Sequence, residues 1–304
     1  MVLTQTRMDD NVLFLRRELE QILPRVFETI YTDIIYQNLI PVTNEVSPGA
    51  DSYTYRIMNS VTKFKLISDK ADDLPRSDVS RREVTLPIRM IGGSMAYSID
   101  EIQKAQYANV PLQQMRANAM RRGYEEQVQR LSFWGDSTTG LTGFFNNGQV
   151  NKLVASGWIN SGTSSDDMLS ILNYAVTYIT DQTNMVEQPD TLLVPYSVYR
   201  TISTTPRSTV SDTTVLSYFL NTNPFITSVQ PVIHLDANKS LGNLSKDRIV
   251  AYRRSPDKLQ LHIPQPLTVM EPQLRGLEYV INGYGKVGGA ALYYPASVCY
   301  VDAP

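Results

Sequence analysis

The sequence predicts an α+β protein built from a projecting two-stranded arm, a long helix and a compact α/β module. Three observations carry this prediction. Polar and apolar residues alternate over residues 51–95, which is typical of extended strands. From Ser98 to Trp134 the apolar residues recur at helical spacing, directly after the strands. Residues 164–257 then alternate between helix-like and strand-like segments, as a compact α/β module does.

An amphipathic helix is predicted over residues 9–34, because their apolar side chains fall on one face. That face consists of Leu15, Leu19, Ile22, Leu23, Val26 and Ile30. Pro24 lies within the pattern and should kink or split the helix, since proline has no amide hydrogen to donate. A short extended segment over residues 38–42 is expected to follow.

The arm is predicted from segments rich in tyrosine, threonine, valine and isoleucine, which favour strands. Its parts are strands Ser52–Met58 and Val61–Ile67, a polar and charged tip over residues 68–80, and a returning strand Glu83–Met90. Gly92 and Gly93 come next, and we interpret them as a hinge before the helix. A two-stranded ribbon is at best marginally stable alone in water, so the arm is expected to lie against another subunit.

The long helix has a clear start signal, because Ser98 and Glu101 have the spacing of a capping box. Pro111 is expected to restart it as a first helical residue. About 20 residues at a rise of 1.5 Å each give a rod of roughly 30 Å. Its apolar stripe consists of Leu112, Met115, Ala119, Tyr124, Val128 and Leu131. Arg116 and Arg122 lie largely off this stripe.

The α/β module and the segment after it follow from shorter patterns. The predicted helices of the module are Met168–Ile179, Pro195–Ile202 and Asp212–Leu220, and its predicted strands are Thr191–Val194, Val229–Leu235 and Arg248–Arg253. From Lys258 onward the pattern returns to strand.

The glycines from Gly283 to Gly288 formally match G-x-G-x-x-G, the spacing of dinucleotide-binding turns. Such a site requires a strand before the glycines and a helix after them. The residues after Gly288 have a strand pattern instead, so we interpret these glycines as turn residues of a β-hairpin.

No catalytic, cofactor-binding or metal site is predicted. His234, His262 and Cys299 share no spacing typical of metal ligands. The sequence has no G-x-S-x-G elbow, and two histidines leave few general bases for nucleophilic catalysis. The predicted protein is therefore not an enzyme.

Composition limits the partners. The formal net charge is −2 and neither half of the chain is basic, so tight electrostatic binding to a nucleic-acid backbone is not expected. A single cysteine, Cys299, rules out an internal disulfide. No stretch approaches the roughly 20 apolar residues that span a bilayer, so no membrane partner is predicted.

The order of these parts resembles that of tailed-bacteriophage major capsid proteins with the Hong Kong 97-type fold, in a group related to the encapsulin shell proteins. The residues that carry the resemblance are Ala71-Asp72-Asp73-Leu74-Pro75-Arg76, Ile91-Gly92-Gly93-Ser94, Tyr97-Ser98-Ile99-Asp100-Glu101-Ile102, Pro111-Leu112-Gln113-Gln114, Phe133-Trp134-Gly135-Asp136 and Gly140-Leu141-Thr142-Gly143-Phe144-Phe145-Asn146-Asn147. They lie between residues 71 and 147, and none is a catalytic signature.

The resemblance implies a division of the chain. Residues 1–45 would form an N-terminal arm with its helix, and residues 46–96 an extended hairpin loop. Residues 97–163 and 258–304 would form a peripheral domain that contains the long spine helix. Residues 164–257 would form an axial domain at the centre of a capsomer. No scaffolding segment precedes residue 1 in the sequence, so a separate scaffolding protein or a short form of the chain is expected.

The implied function is self-assembly through pentameric and hexameric capsomers into an icosahedral head that encloses double-stranded DNA. The partners would be identical subunits and weakly contacted DNA, with portal, scaffolding or decoration proteins as further candidates. The protein would be part of the virion, assembled in the host cytoplasm. One alternative is an encapsulin-type compartment around a cargo enzyme, and another is an α/β enzyme that uses residues 164–257.

Seven residues are candidates for the contact between subunits. Asp72, Asp73 and Arg76 at the arm tip are expected to form salt links to a neighbour. The helix face that bears Arg116 and Arg122 is expected to meet a neighbouring subunit. The remaining candidates, Lys63 and Lys65, are arm residues that serve either solubility or an isopeptide link to another chain.

Overall fold

The computed structural model describes residues 32–66, 76, 78–108, 112–208, 210, 212–237, 239 and 244–304. Its helices are α1 (Tyr36–Leu39), α2 (Ile99–Tyr107), α3 (Leu112–Trp134), α4 (Ser165–Gln182), α5 (Tyr196–Thr204) and α6 (Val215–Thr222). Its strands are β1 (Val42–Thr43), β2 (Ser52–Val61), β3 (Asp78–Pro87), β4 (Arg89–Ser98), β5 (Gly135–Asp136), β6 (Leu141–Thr142), β7 (Asn151–Val154), β8 (Thr191–Pro195), β9 (Ser228–Val232), β10 (Arg248–Tyr252), β11 (Leu259–His262), β12 (Gln265–Val269), β13 (Gln273–Arg275), β14 (Glu278–Val287), β15 (Ala290–Leu292) and β16 (Val298–Asp302).

Two N-terminal predictions have different outcomes. The predicted helix over residues 9–34 and its kink at Pro24 lie, apart from residues 32–34, outside the described residues. The predicted extended segment over residues 38–42 is wrong in its first half, because α1 continues through Leu39. Tyr36 and Leu39 are buried, so burial of these side chains overrides the weak local preference for a strand.

The arm is a single antiparallel ribbon of β2 and β3. Its ladder runs without interruption from the pair Ser52 and Pro87 to the pair Val61 and Asp78. A second strand over Val61–Ile67 was predicted, and this is wrong because residues 62–66 lie in no strand. Polar pairs occur on the exposed face of the ribbon, such as the Thr54 and Thr85 hydroxyls, 2.8 Å apart.

Strand β4 continues from the arm into the body of the protein. It pairs with β14 at ten consecutive positions, from Arg89 opposite Val287 to Ser98 opposite Glu278. The prediction that Gly92 and Gly93 form a hinge is therefore wrong, since both lie inside this ladder. The predicted capping box is confirmed, and it starts α2 directly after β4.

Glycines in this ladder let helix α3 approach the sheet closely. A Cβ atom on Gly283 would lie 2.9 Å from the Met120 sulfur, and one on Gly285 would lie 2.7 Å from the Tyr124 ring. Both separations are shorter than real Cβ contacts, so a larger residue at either position would have to displace the Met120 or Tyr124 side chain. The interpretation of the G-x-G-x-x-G residues as hairpin-turn residues is thus wrong, because Gly283 and Gly285 lie within β14.

The C-terminal end of α3 crosses the following segment at very short range. The Phe144 amide donates to the Ser132 carbonyl at 2.8 Å, and the Phe145 amide donates to the Phe133 carbonyl at the same distance. The rings of Phe133 and Phe145 lie 4.6 Å apart between centroids in the largest buried cluster. The crossing fixes the helix in the core of the protein.

A five-stranded sheet in the order β7-β16-β10-β8-β9 carries helix α4. Strands β8 and β10 are fully buried, which explains why their sequences are almost continuously apolar. The sheet combines strands from residues 164–257 with β7 and β16, which lie outside that range. The predicted strand Val229–Leu235 ends earlier, at Val232, and Ile233–Leu235 forms a single 3₁₀ turn.

A buried ion pair connects β10 to β16. The Arg248 guanidinium donates to both carboxylate oxygens of Asp302, at 2.5 and 2.7 Å. It also donates to the Phe145 carbonyl at 2.6 Å and lies over the Tyr300 ring. The buried Arg248 charge is thus paired with a carboxylate and hydrogen-bonded to a carbonyl, as the burial of a charge requires.

Candidate assembly surfaces

Among the described residues, only the base of the arm is covered by its own chain. The side chains of Tyr53, Tyr55 and Ile57 on one face of β2 are half-buried, whereas the rest of the described β2 side chains are exposed. On β3 every residue from Asp78 to Glu83 is exposed. An ion pair between Arg56 and Glu83, at 2.8 Å, is solvated and adds little stability. As far as the structure describes the distal arm, its strands therefore lack the covered face that normally stabilises strands.

The arm joins the body through an aromatic contact. The Tyr53 ring lies 4.3 Å from the His262 ring, and the Tyr55 ring lies 4.8 Å from the Tyr293 ring, edge to face. The Tyr293 hydroxyl donates to the Gln260 carboxamide oxygen at 2.9 Å. It consequently accepts a hydrogen bond from His262 Nε2, 2.8 Å away. The proton of neutral His262 is thus on Nε2.

The other ring nitrogen of His262 is a buried acceptor. Within the described residues His262 Nδ1 has no hydrogen-bond partner, and neither does the Tyr53 hydroxyl beside it. Desolvation by burial lowers the pKa of His262 below its usual value of 6.5, and the Glu45 carboxylate acts in the opposite direction. Burial also raises the pKa of Tyr293 to about 12, so this hydroxyl stays neutral. The joint is therefore built around an uncharged imidazole.

We expect acidification to loosen the base of the arm. Because the pKa of folded His262 is lowered, its contribution to stability is complete above the unfolded value near 6.5 and is lost as the pH falls toward the folded pKa. Hydrogen exchange of amides 53–57 in the unassembled subunit should accelerate between pH 7.5 and 5, after correction for the intrinsic rate. In His262→Gln the acid-dependent acceleration should disappear. An unchanged pH profile in that variant would contradict this role of His262.

The predicted arm residues are at the surface as far as they are described. Lys63, Lys65 and Arg76 are all exposed. Asp72 and Asp73 lie outside the described residues. Their salt links to a neighbour therefore stay a prediction.

The two predicted arginines of α3 make contacts within the chain. Arg116 forms an ion pair with Glu101 at 3.0 Å, donates to the Ala96 carbonyl and lies 4.9 Å from the Tyr97 ring centre. Arg122 forms an ion pair with Glu126 at 2.8 Å, one turn further along the helix. Both side chains remain about one-third exposed, so either could also contact a neighbouring subunit.

A second exposed apolar surface lies at the end of the β12–β13–β14 sheet, and the sequence analysis missed it. We call it the hairpin tip, and it consists of Val269, Met270, Leu274, Leu277 and Tyr279. Leu277 is 75% exposed, and its carbonyl accepts from the Ile99 amide at the start of α2, at 3.1 Å. A cluster of large apolar side chains without cover is typical of an interaction site. The sequence signal was the alternation of Leu274, Leu277 and Tyr279 with charged residues around Gly276, which has a positive φ of 61°.

The described residues offer no metal site and no reactive thiol. Over the described residues, no group of three or more histidine, cysteine, aspartate or glutamate side chains could hold a metal ion. Cys299 is fully buried, and desolvation raises the pKa of its thiol to about 12, which makes it unreactive. No described helix combines the length and the apolar character needed to cross a membrane.

Comparison with known proteins identifies a family and a fold. Residues 63–303 match the family model described as major capsid protein. No curated protein sequence matches the chain. Among solved structures, the chain is similar to the capsid of Myoviridae phage XM1, with 20% identity, a TM-score of 0.84, and coverage of 97% of this chain and 100% of that chain.

Two further structures show the range of the likeness. A structure from Mycobacterium phage Ogopogo has 13% identity and a TM-score of 0.65, covering 94% of this chain and 96% of that chain. A virus-like particle from Pyrococcus furiosus has 12% identity and a TM-score of 0.51, covering 87% and 91% respectively. At these identities the likeness shows the fold, which is the predicted Hong Kong 97-type capsid fold.

Proposed function

The chain belongs to the major capsid protein family, and from this membership we propose that it self-assembles through pentameric and hexameric capsomers into the icosahedral head of a bacteriophage, around double-stranded DNA. The family is structural, so the role is not enzymatic. The encapsulin-type alternative is less favoured, because the matching family model is that of a major capsid protein and the XM1 structure is a phage capsid.

The observation that carries this proposal is the uncovered arm. Beyond Ile57 the ribbon of β2 and β3 has no cover from its own chain within the described residues. A ribbon of this kind gains stability when its exposed face is buried on another molecule. When every subunit places the same arm on the next one, the contacts are heterologous and can close into rings.

The proposed contact surfaces combine the arm with the outer face of α3. Lys63, Lys65 and Arg76 are exposed on the arm, and Asp72 and Asp73 belong to its tip in the sequence. We assign Arg116 and Arg122, with their remaining exposed surface, to the edge of the contact. Charges at the edge of an interface affect the rate and salt dependence of association more than its affinity. The apolar parts of the contact therefore provide most of the stability.

The hairpin tip is the second proposed contact. Its residues Leu274, Leu277 and Tyr279 lie at one end of the β4–β14 ladder, whereas the arm leaves from the other end, next to Arg89 and Val287. One subunit thus offers two surfaces to different neighbours, which a closed shell requires in addition to contacts within a ring.

The remaining partners follow from charge and from the family. A net charge of −2 supports only weak and sequence-independent contact with the packaged DNA. Portal, scaffolding or decoration proteins are further candidate partners. The protein is part of the virion capsid, and we propose that it assembles in the host cytoplasm.

Electron microscopy of the purified chain tests the proposal. We expect closed particles, or rings of five and six subunits that close into particles when a scaffolding protein is added. Leu274→Asp combined with Leu277→Asp should leave rings that do not join, because two charges replace the apolar centre of the hairpin tip. The arm would keep its full length in this variant. A protein that stays monomeric at every concentration and with every scaffolding protein would contradict the proposed function.

A further inference from the structure

Three polar groups meet in the interior just before helix α1, where the compact unit Ile34–Pro304 begins. The Ile35 amide donates to the Gln129 side-chain oxygen Oε1 at 2.7 Å. The Gln129 side-chain nitrogen Nε2 lies 3.3 Å from His234 Nε2. We call these three groups the polar node. It connects the backbone before α1 to α3 and to the 3₁₀ turn Ile233–Leu235, which are distant in the sequence.

The polar node has little contact with solvent. Gln129 is 6% exposed and His234 is 7% exposed. The His234 ring packs edge to face against the Phe133 ring, with 5.1 Å between their centroids. Because a buried polar group without a partner is costly, two donors or two acceptors should not face each other here. The direction of each hydrogen bond therefore follows from the one donor that cannot change, the Ile35 amide.

The Ile35 amide determines which nitrogen of His234 carries the proton. A backbone amide only donates, so the Gln129 group that faces Ile35 is its oxygen. The Gln129 NH₂ group is then turned toward His234, and it too only donates. His234 Nε2 must consequently accept, so the proton of His234 is on Nδ1. His262 has the opposite arrangement, with its proton on Nε2.

Two tyrosine hydroxyls hold the residues that follow the polar node. The Tyr36 hydroxyl donates to the Glu125 carboxylate at 2.8 Å, and the Tyr252 hydroxyl donates to the Leu39 carbonyl at 2.8 Å. Both contacts hold α1 itself, which begins at Tyr36. The polar node instead holds the backbone before the first residue of this helix.

We propose that Gln129 is a positioning residue that fixes the point at which residues 1–33 join the body of the subunit, and that His234, protonated on Nδ1, fixes the orientation of the Gln129 amide. If this amide turned over, its NH₂ group would face the Ile35 amide and the hydrogen bond would be lost. The segment thus starts from the same position in every copy. The inference does not depend on assembly, because all three groups of the node belong to one subunit.

Nitrogen-15 NMR of the full-length, unassembled subunit tests the position of the proton. The sequence has two histidines, so a sample labelled at histidine gives two imidazole patterns. At mildly alkaline pH we expect one pattern with the hydrogen on Nδ1 and one with the hydrogen on Nε2. His262→Gln should remove the second pattern and leave the first. A remaining His234 pattern with the hydrogen on Nε2 would overturn the inference.

Hydrogen exchange of the Ile35 amide, measured relative to the amides of β10, provides an independent readout. Gln129→Met removes the acceptor, so the exchange should accelerate about fivefold or more. Gln129→Glu keeps an acceptor oxygen in the same place, so the exchange should stay within about twofold of the unmodified chain. Gln127→Met is the matched control on the same helix, outside the polar node, and should also stay within about twofold.

Two outcomes of the exchange experiment would overturn the inference. One is equal exchange of the Ile35 amide in Gln129→Met and in the control. The other is an acceleration in Gln129→Glu as large as that in Gln129→Met, because the acceptor oxygen would then have no role.

Discussion

Replacing residues 60–80 with a single glycine should give a folded subunit that forms no shells. Met58 is paired with Arg81, so Asn59 and the new glycine would form a two-residue Asn-Gly turn between them. The removed part that is described is exposed, so the free energy of unfolding of the subunit should change by no more than about 1 kcal/mol. Assembly should be abolished, because the uncovered part of the arm and its charged tip are absent.

Circular dichroism during urea unfolding measures the free energy of unfolding, and electron microscopy shows whether shells form. Arg56→Ala is the matched control, since it removes the exposed ion pair with Glu83 and leaves the arm at full length. This control should still form shells, because solvated pairs contribute about 0–1 kcal/mol. Normal shells from the shortened chain would contradict the role of the arm in assembly.

The second large effect is expected where the C-terminal end of helix α3 crosses the segment that contains Gly143. A Cβ atom on Gly143 would lie 2.3 Å from the Trp134 carbonyl carbon and 2.5 Å from the Gly135 nitrogen. Both atoms belong to the backbone, so no side-chain rotation can relieve the overlap. Gly143→Ala should therefore lose about 4 kcal/mol or more of stability, at the far end of what single substitutions do.

Urea unfolding of the chain with the shortened arm measures this loss without a contribution from assembly. Gly148→Ala is the control, because a Cβ atom there would have no neighbour within 4 Å. The control should stay within about 0.5 kcal/mol of its parent, as surface substitutions do. A Gly143→Ala protein that is soluble and as stable as this control would contradict the close crossing.

Local signals in the sequence predicted the arm, the capping box and the long helix. Ser98 and Glu101 act within one helical turn, so their spacing alone identifies the start of α2. The stripe on α3 is confirmed only at its C-terminal end, where Val128 and Leu131 are buried, whereas Ala119 is exposed. Helical spacing shows which side chains share a face but cannot show that part of this face is left for another molecule.

Long-range pairing explains what the sequence could not predict. Gly93 faces Gly283 across the β4–β14 ladder, and this contact between distant parts of the chain leaves no trace in either local pattern. Without it, Gly92 and Gly93 resembled a hinge and Gly283 resembled a turn residue. The hairpin tip had an apolar signal, but its exposure depends on the packing of the completed fold.

The position of β16 determines when the subunit can become competent for assembly. This strand lies between β7 and β10, so Asn151 is paired with Cys299 and Val250 with Tyr300. The sheet cannot close during translation until residues 298–302 have left the ribosome, and contacts over such sequence separations form slowly. Nascent chains on one messenger RNA would therefore expose their arms before β16 completes the five-stranded sheet. We therefore expect that only released, fully folded subunits join a growing shell.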